Sequence, residues 1–334
     1  MESASDVLKR IFGTSQQSSM GAEIADLTQR YKRLEAITFP KPSSTRIIAV
    51  ANQKGGVGKT TTTVNLASAM ASKGLKVLVI DMDPQGNAST ALGARHGSQD
   101  YSIYDVIESR HALSEVFQQC PDFQSLTVVP ASIDLSGAEL ELSDVQERHA
   151  VLRKILNSYV IEHPTQFDYI YIDCPPSLGL LVLNALCAAK EVLIPIQAEY
   201  YALEGLGQLL HTISLVQHSF NRTLSVSTML VTMFDKRTLL SREVFDEIQK
   251  HYPKIVLNAT IPRAVKISEA PSFGQSIISY DPKGAGSVAY LEAALEIAQR
   301  SVQVDEENIR RQHASDEPQA NNGDSDTRQE GTVQ

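Results

Sequence analysis

The chain has 334 residues, of which 42% are hydrophobic and 21% charged, and its formal net charge is −9 at pH 7. This length allows one large domain or two ordinary ones, with a core that needs neither disulfides nor a metal to fold. No apolar run approaches the roughly 20 residues of a transmembrane helix, and the first ten residues lack the apolar region of a secretory signal. Together with three cysteines at no metal-like spacing, these features predict a soluble cytoplasmic protein.

The first 45 residues are predicted to form an appendage with two short helices. Apolar residues between Val7 and Phe12 fit the first helix, and residues 13–21, rich in Ser, Gln and Gly, fit a flexible linker. Apolar residues at three- and four-residue steps predict the second helix, and they are Ile24, Leu27, Tyr31 and Leu34. Two interpretations stay open: the helices pack on the main body, or they form a docking arm for a partner.

Residues 46–300 are predicted to form the main domain, in which apolar strands alternate with helices. The predicted strands are 46–52, 76–81, 169–173, 191–196 and 225–232. Helices are predicted near 60–73, 148–160, 178–189, 203–219, 240–250 and 286–300. Continuous apolar strands separated by helices are typical of an α/β fold with a mostly parallel, doubly wound sheet flanked by helices. Residues 301–334 hold eight acidic residues against three arginines, which predicts a disordered acidic tail.

Residues 52–61, Asn-Gln-Lys-Gly-Gly-Val-Gly-Lys-Thr-Thr, lie between a predicted strand and a predicted helix. Glycines let backbone N–H groups surround phosphate oxygens, and the N-terminus of the following helix adds a partial positive charge. Lys59 is expected to neutralise the β- and γ-phosphates, and the Thr60 hydroxyl to bind Mg²⁺. The ordinary phosphate-loop pattern has glycine where this chain has Gln53, and a second lysine, Lys54, precedes the glycines. The segment therefore predicts an ATP and Mg²⁺ site with an unusual extra lysine.

Carboxylates follow two of the predicted strands. Asp81 and Asp83 follow one strand, and Asp173 ends another. Ligands of open parallel sheets bind beyond the carboxyl ends of the strands, and residues two apart on a strand point the same way. Each carboxylate alone could be a helix cap or a turn residue, but beside the phosphate loop they are predicted to face the phosphates.

The string Lys-Gly-Gly-Val-Gly-Lys-Thr-Thr resembles the deviant Walker A motif of the ParA/MinD family of P-loop ATPases. The resemblance implies that Lys54 reaches across a dimer interface to the partner's nucleotide and acts in catalysis with Lys59 and Asp83. In that family Asp83 would position or activate the attacking water. The implied nucleotide-binding residues of the loop are Lys54, Gly55, Gly56, Val57, Gly58, Lys59, Thr60 and Thr61. The implied metal site comprises Thr60, Asp81 and Asp173.

Residues 195–206, 261–274 and 280–287 are similar to segments of ParA/Soj-type chromosome-partitioning ATPases. The resemblance implies a slow ATPase that dimerises with ATP, binds double-stranded DNA without sequence preference, and associates with the nucleoid. It also implies a ParB-type centromere-binding partner that stimulates hydrolysis. The family often has Asn where this chain has Ala264, so Pro262 and backbone groups are expected to line the adenine pocket.

Non-specific DNA binding requires Lys and Arg contacts to phosphates. The candidates are Arg237, Arg242, Lys250, Arg263 and Lys266, with Lys236 and Arg222 less favoured. Each of these residues taken alone is more typical of an ordinary solvated surface charge, and it is the cluster as a whole that favours DNA binding.

Three alternatives stay open on sequence grounds. The first is a MinD-like membrane-associated positioning ATPase, for which the acidic tail is unsuited and only the segment Val7–Phe12 could provide an anchor. The second is a metabolic enzyme on the same scaffold, such as an iron–sulfur reductase or an amidotransferase-like synthetase. The third keeps the biochemistry but changes the cargo to a plasmid or another cytoplasmic complex. For the favoured partitioning ATPase, no membrane interaction is expected.

Overall fold

One eight-stranded sheet organises residues 14–142, 145–199 and 202–316, which are the part of the chain that the computed structural model describes. Its strands are β1 Arg46–Val50, β2 Val77–Asp81, β3 Gln118–Gln119, β4 Leu126–Val129, β5 Tyr169–Asp173, β6 Glu191–Gln197, β7 Ser225–Phe234 and β8 Val256–Pro262. Their order across the sheet is β3-β4-β2-β5-β1-β6-β7-β8. The β3–β4 pair is antiparallel and the other pairs are parallel. The predicted mostly parallel α/β sheet is thereby confirmed.

Helices cover both faces of this sheet. They are α1 Thr14–Ala36, α2 Lys59–Ser72, α3 Asn87–Ala91, α4 Ile103–Ile107, α5 Ala138–Glu141, α6 Val151–Glu162, α7 Leu180–Ala188, α8 Ala202–Ser219, α9 Leu239–His251, α10 Val265–Glu269, α11 Ile277–Tyr280 and α12 Ala285–Asp316. Short 3₁₀ turns are Leu113–Val116, Ile133–Ser136, Arg148–Ala150 and Ala270–Phe273. Among the described helices, none combines the length and the apolar character that crossing a membrane requires.

The strands are apolar on both sides because each face of the sheet packs on helices. In β1, Ile47 and Ala49 belong to the apolar cluster shared with α6, α7 and α8, whereas Ile48 and Val50 belong to the cluster shared with α2 and α12. Successive residues of a strand point to opposite faces, so a strand buried on both faces reads as a continuous apolar run. This property is what made β1, β2, β5, β6 and β7 predictable.

Three strands were not predicted from the sequence. The two-residue β3 and the four-residue β4 are too short to produce a distinct pattern. The edge strand β8 pairs with β7 and contains Asn258, a residue type that is uncommon in strands. For these three segments, pairing with a neighbouring strand decides the conformation.

Two predicted boundaries were wrong. The proposed linker over 13–21 is helical from Thr14 onward and belongs to α1, because residues 14–36 contain no proline and a single glycine to interrupt a helix. The last helix does not stop near residue 300 but continues in α12 to Asp316, since residues 301–316 contain neither glycine nor proline. The predicted helix at Val7–Phe12 and the part of the predicted tail from 317 to 334 lie outside the described residues.

The register of the central strands brings three chain segments to one edge of the sheet. Val50, the last residue of β1, lies opposite Asp173 at the end of β5, and Asp81 at the end of β2 also lies opposite Asp173. The loop that leaves β1 and the carboxylates that end β2 and β5 therefore meet at the same level.

Candidate functional site

The loop from Ala51 to Gly58 joins β1 to α2 and opens toward the carboxyl edge of the sheet. Gly56 and Gly58 have φ angles of +75° and +87°, a left-handed conformation that side chains rarely adopt. A Cβ placed on Gly55 or Gly56 would have nothing within 4 Å, so no described part of the chain covers these two glycines. The segment has the strand–loop–helix context that a phosphate-binding loop requires.

The two lysines of the loop occupy different environments. Lys59 is 7% exposed, and its Nζ lies 3.4 Å from the backbone oxygen of Lys54, so its side chain folds back along the loop. Burial lowers the pKa of the Lys59 ammonium, although nearby acidic groups, Asp173 first among them, act in the opposite direction. Lys54 lies at the rim with 41% of its side chain exposed, and its Nζ is 3.0 Å from Oε2 of Glu199.

Asp173 is a buried carboxylate with one unsatisfied oxygen. Its Oδ1 accepts a hydrogen bond from the Thr63 hydroxyl at 3.0 Å, and its Oδ2 is buried without a partner. Burial, followed by the charge of Asp81, raises the pKa of Asp173 to about 8, and the Thr60 and Thr63 hydroxyls act against this shift. A buried carboxylate oxygen without a hydrogen bond is costly unless a cation or a donor is supplied there. The site therefore suits a cation next to Thr60 and Asp173.

Asp81 braces the turn that follows β2. Its Oδ2 accepts hydrogen bonds from the backbone N–H and the hydroxyl of Ser89 at 2.8 and 2.7 Å, and its Oδ1 accepts one from the backbone of Asp83 at 3.1 Å. Burial raises the pKa of Asp81 to about 6. Since both of its oxygens accept hydrogen bonds from the chain itself, Asp81 is built to hold the turn and to contribute negative charge beside Asp173.

Asp83 lies in the turn that Asp81 holds. It is 8% exposed, and its Oδ1 accepts a hydrogen bond from the backbone N–H of Gln85 at 3.0 Å. Gly86 ends the turn with a φ of +64°, and a Cβ there would come within 2.8 Å of Nδ1 of His96. The His96 ring is held by the Thr90 hydroxyl at 2.9 Å from its Nε2. The Asp83 turn is therefore bordered by the Asp81 carboxylate on one side and by the His96 ring, next to Gly86, on the other.

Sequence patterns missed the supporting residues of this site. Thr63 could have been found because it lies one helical turn after Lys59 in α2. Ser89 carried no signal, since a single serine after a turn is common, and Glu199 lay within the segment 195–206 without a role of its own.

Pro262 and the candidate DNA-contacting residues lie farther along the sheet. Pro262 is the last residue of β8 and is opposite Phe234 in β7, at the same edge as the loop. Arg263 and Lys266 follow it, and Arg237 and Arg242 follow β7, so these four basic residues share this edge.

Most of these basic side chains already have acidic neighbours. Arg237 binds Asp235 at 2.9 Å, Lys266 lies 3.0 Å from Asp281, and Arg263 lies 3.9 Å from Glu199. The Arg237 hydrogen bond is the main reason that the pKa of Asp235 falls to about 2.

The structure does not bring two of the candidates to this edge. Lys250 is in the last turn of α9, eight residues or about 12 Å of helix beyond Arg242. Arg222 precedes β7 and so lies at the amino end of that strand. Their positions are separate from the surface formed by Arg237, Arg242, Arg263 and Lys266.

All three cysteines lie in the described part of the chain, and all three are buried. Cys174, Cys187 and Cys120 are 0%, 1% and 4% exposed, and all three are free thiols. The described residues contain no cluster of three or more His, Cys, Asp or Glu side chains that could hold a metal ion. This arrangement does not provide the exposed paired cysteines that a cluster-bridging reductase requires.

Comparison with known proteins identifies the family. A family model described as an AAA domain matches residues 45–226. The sporulation initiation inhibitor protein Soj of Bacillus subtilis is 46% identical over 253 residues, which cover 76% of this chain and 98% of that protein. The chromosome partitioning protein ParA of Myxococcus xanthus is 47% identical over 255 residues, 76% of this chain and 88% of that protein. Cobyrinic acid a,c-diamide synthase from Mycobacterium smegmatis, solved with bound ADP and magnesium, is 38% identical with a TM-score of 0.64, covering 75% of this chain and 92% of that one. Given the extent of these matches, the chain belongs to the Soj/ParA family of chromosome-partitioning P-loop ATPases.

Proposed function

We propose that this chain partitions chromosomes in an ATP-dependent cycle. It binds ATP and Mg²⁺, forms a homodimer around the two nucleotides, and in that state binds double-stranded DNA without sequence preference. A ParB-type centromere-binding protein stimulates its slow hydrolysis and so releases it from the nucleoid. The observation that carries the proposal is the meeting of the glycine loop, Asp83 and the unsatisfied oxygen of Asp173 at one edge of the sheet.

The nucleotide phosphates bind at the loop, where Gly55 and Gly56 are not covered by other described residues. Backbone N–H groups of residues 55–61 bind phosphate oxygens at the N-terminus of α2, and the buried Lys59 ammonium supplies a positive charge there. Pro262 and neighbouring backbone groups line the base pocket at the end of β8, where Ala264 removes an amide side chain that many family members have.

The magnesium site comprises the Thr60 hydroxyl and Asp173, with Asp81 supporting it from behind. The unpartnered Oδ2 of Asp173 is the donor that fits a hard cation. When bound there, Mg²⁺ neutralises charge that develops on the transferred phosphate. Asp81 keeps its hydrogen bonds to Ser89 and Asp83, and its charge adds to the attraction for the cation.

Hydrolysis depends on two further side chains. Asp83 orients the attacking water, in a turn that the Asp81 brace and the His96 ring hold in place. Lys54 acts on the nucleotide of the partner subunit. Its exposed position at the rim supports this role, because a lysine committed to its own phosphates would lie inside the loop as Lys59 does.

DNA binding uses the basic residues beside the nucleotide edge, chiefly Arg237, Arg242, Arg263 and Lys266. Contacts of this kind to phosphates need no base readout. A dimer presents the surface twice, so two weak sites act together through their effective concentration and couple DNA affinity to ATP.

The test is the binding of a mixed-sequence duplex with ATP, with ADP and without nucleotide, at low and moderate salt. Tight and salt-sensitive binding that requires ATP is expected, and Lys59→Ala is the control because it removes the charge that holds the phosphates. Absence of binding in all three states contradicts the DNA-carrier function and favours a MinD-like membrane role, which liposome flotation then tests.

A second candidate is an amide-forming synthetase, favoured by the similarity to cobyrinic acid a,c-diamide synthase. The identity to curated partitioning proteins is higher, at 46–47%. ATP turnover that increases with DNA and does not respond to cobyrinic acid supports partitioning, whereas turnover that requires cobyrinic acid supports the synthetase.

A further inference from the structure

We propose that α1 is an intramolecular competitor of DNA: its Glu23 carboxylate occupies Lys236, next to Arg237, on a surface that the phosphate backbone of a duplex contacts when α1 is displaced. This inference rests on the DNA binding proposed above and adds a regulator to it. The partner of the surface is a nucleic-acid phosphate, and the regulator is a segment of the chain itself.

The C-terminal half of α1 is firmly attached to the main domain. Arg30 forms a bidentate ion pair with Glu292 of α12, at 2.9 Å from Nε and 2.6 Å from NH2. Leu34 is fully buried, and its backbone oxygen accepts a hydrogen bond from Lys73 at the end of α2. The Lys283 ammonium lies over the ring of Tyr31, 5.8 Å from its centre. These contacts fix the direction in which the helix continues toward its N-terminus.

The next turns of α1 lead to the β7–α9 loop. Glu23 lies 3.3 Å from the Lys236 ammonium, and its charge also contributes, after that of Asp235, to raising the pKa of Arg237. Residues 21–26 are exposed, so this part of the helix has no packed interface of its own. Its described link to the main domain is therefore electrostatic.

Competition follows from the chemistry of the contact. The Glu23 carboxylate and a phosphate oxygen of DNA are both ligands for the Lys236 ammonium. One ammonium cannot bind both at full strength, so the two compete. Glu23 and Lys236 are 63% and 73% exposed, so their ion pair is weak enough for a duplex to displace.

The family match supports treating α1 as an addition to a common core. The matching family model begins at residue 45, after α1 has ended. The contact between Glu23 and Lys236 thus joins a segment outside the matched region to the loop that follows β7.

The experiment compares Glu23→Gln with Asp26→Asn in the full chain, with ATP and a fluorescent mixed-sequence duplex. Each variant removes one negative charge from the same helix, but Asp26 pairs with Arg30 and not with the basic loop. Glu23→Gln is expected to tighten DNA binding about two- to fivefold per protomer relative to Asp26→Asn. Both residues are exposed, so neither change threatens folding.

A third variant tests the sign of the effect. Arg30→Gln removes a positive charge, and general electrostatics then predicts weaker DNA binding. The proposal predicts tighter DNA binding instead. Without the Arg30–Glu292 ion pair, α1 is held less firmly, and its Glu23 leaves Lys236 more easily. Tighter binding by Arg30→Gln supports the proposal, and weaker binding contradicts it.

The outcomes separate the two levels of the hypothesis. Equal affinities of Glu23→Gln and Asp26→Asn, in a protein that binds DNA with ATP, overturn the competition by α1 and leave the proposed function intact. If neither the unmodified chain nor Glu23→Gln binds DNA with ATP, both are overturned. If only Glu23→Gln binds, α1 is a strong inhibitor and both are supported.

Discussion

The hydroxyl of Ser89 is the best place to test how the Asp83 turn is held. It donates a hydrogen bond to Oδ2 of Asp81 at 2.7 Å and accepts one from the backbone N–H of Ala131 at 3.0 Å. All three residues are fully buried. Ser89→Ala therefore removes a charge-assisted hydrogen bond and leaves the Ala131 N–H group without a partner.

The expected loss can be worked from these contacts. A hydrogen bond to a charged group contributes about 1.5–3 kcal/mol, and an unsatisfied buried donor costs about 1–3 kcal/mol. Asp81 keeps two backbone hydrogen bonds, and alanine regains a few tenths of a kcal/mol of helix propensity. The free energy of unfolding should fall by about 3 kcal/mol.

The loss should depend on pH. Burial raises the pKa of Asp81 to about 6 in the folded state, which means that folding favours the protonated carboxyl group. This contribution to the free energy of unfolding is complete at low pH and is lost as the pH rises through about 6. The Ser89 hydroxyl lowers this pKa, and its removal raises it further. Ser89→Ala should therefore be more destabilising at pH 8 than at pH 5.

Ser68→Ala is the matched control. Ser68 is also fully buried and helical, but its hydroxyl has no hydrogen-bond partner. Removing an unsatisfied hydroxyl should leave stability unchanged or raise it by up to about 1 kcal/mol. Urea unfolding followed by circular dichroism, without nucleotide, measures both variants. Equal losses in the two, or a loss below about 1 kcal/mol for Ser89→Ala at pH 8, would refute the reasoning.

Three further predictions concern the site and the core. Lys54→Ala should bind ADP normally but form no ATP dimer in sedimentation velocity, because its ammonium lies at the rim; an ATP dimer of this variant rules out the trans role. Asp83→Ala should bind ATP and stay on DNA while phosphate release stops, and normal release would remove Asp83 from catalysis. Glu191→Gln leaves the largely buried Arg46 guanidinium without its charged partner and should cost about 3–5 kcal/mol in urea unfolding. The exposed pair of Glu147 with Lys154 provides the control, where Glu147→Gln should cost less than about 1 kcal/mol; equal costs would contradict the burial argument.

The regular part of the fold was predictable because its signals are local. Buried strands such as β1 and β5 are continuous apolar runs. The glycines of the loop at 52–61 predict the connection from β1 to α2. Short or edge strands such as β4 and β8 were not predicted, because their conformation depends on pairing with a neighbouring strand. The ends of α1 and α12 were wrong because polar composition does not by itself stop a helix.

The sequence by itself therefore determined the α/β class, the position of the loop and the carboxylates that end β2 and β5. Only the tertiary structure decided which groups meet: Thr63 with Asp173, Lys54 with Glu199, and Arg30 with Glu292 are separated by 110, 145 and 262 residues. Sequence spacing constrains residues within a few turns of a helix or along one strand. Contacts between distant segments are selected by strand order and helix packing, which place Glu199 beside Lys54 at the rim of the loop and Glu23 of α1 beside Lys236.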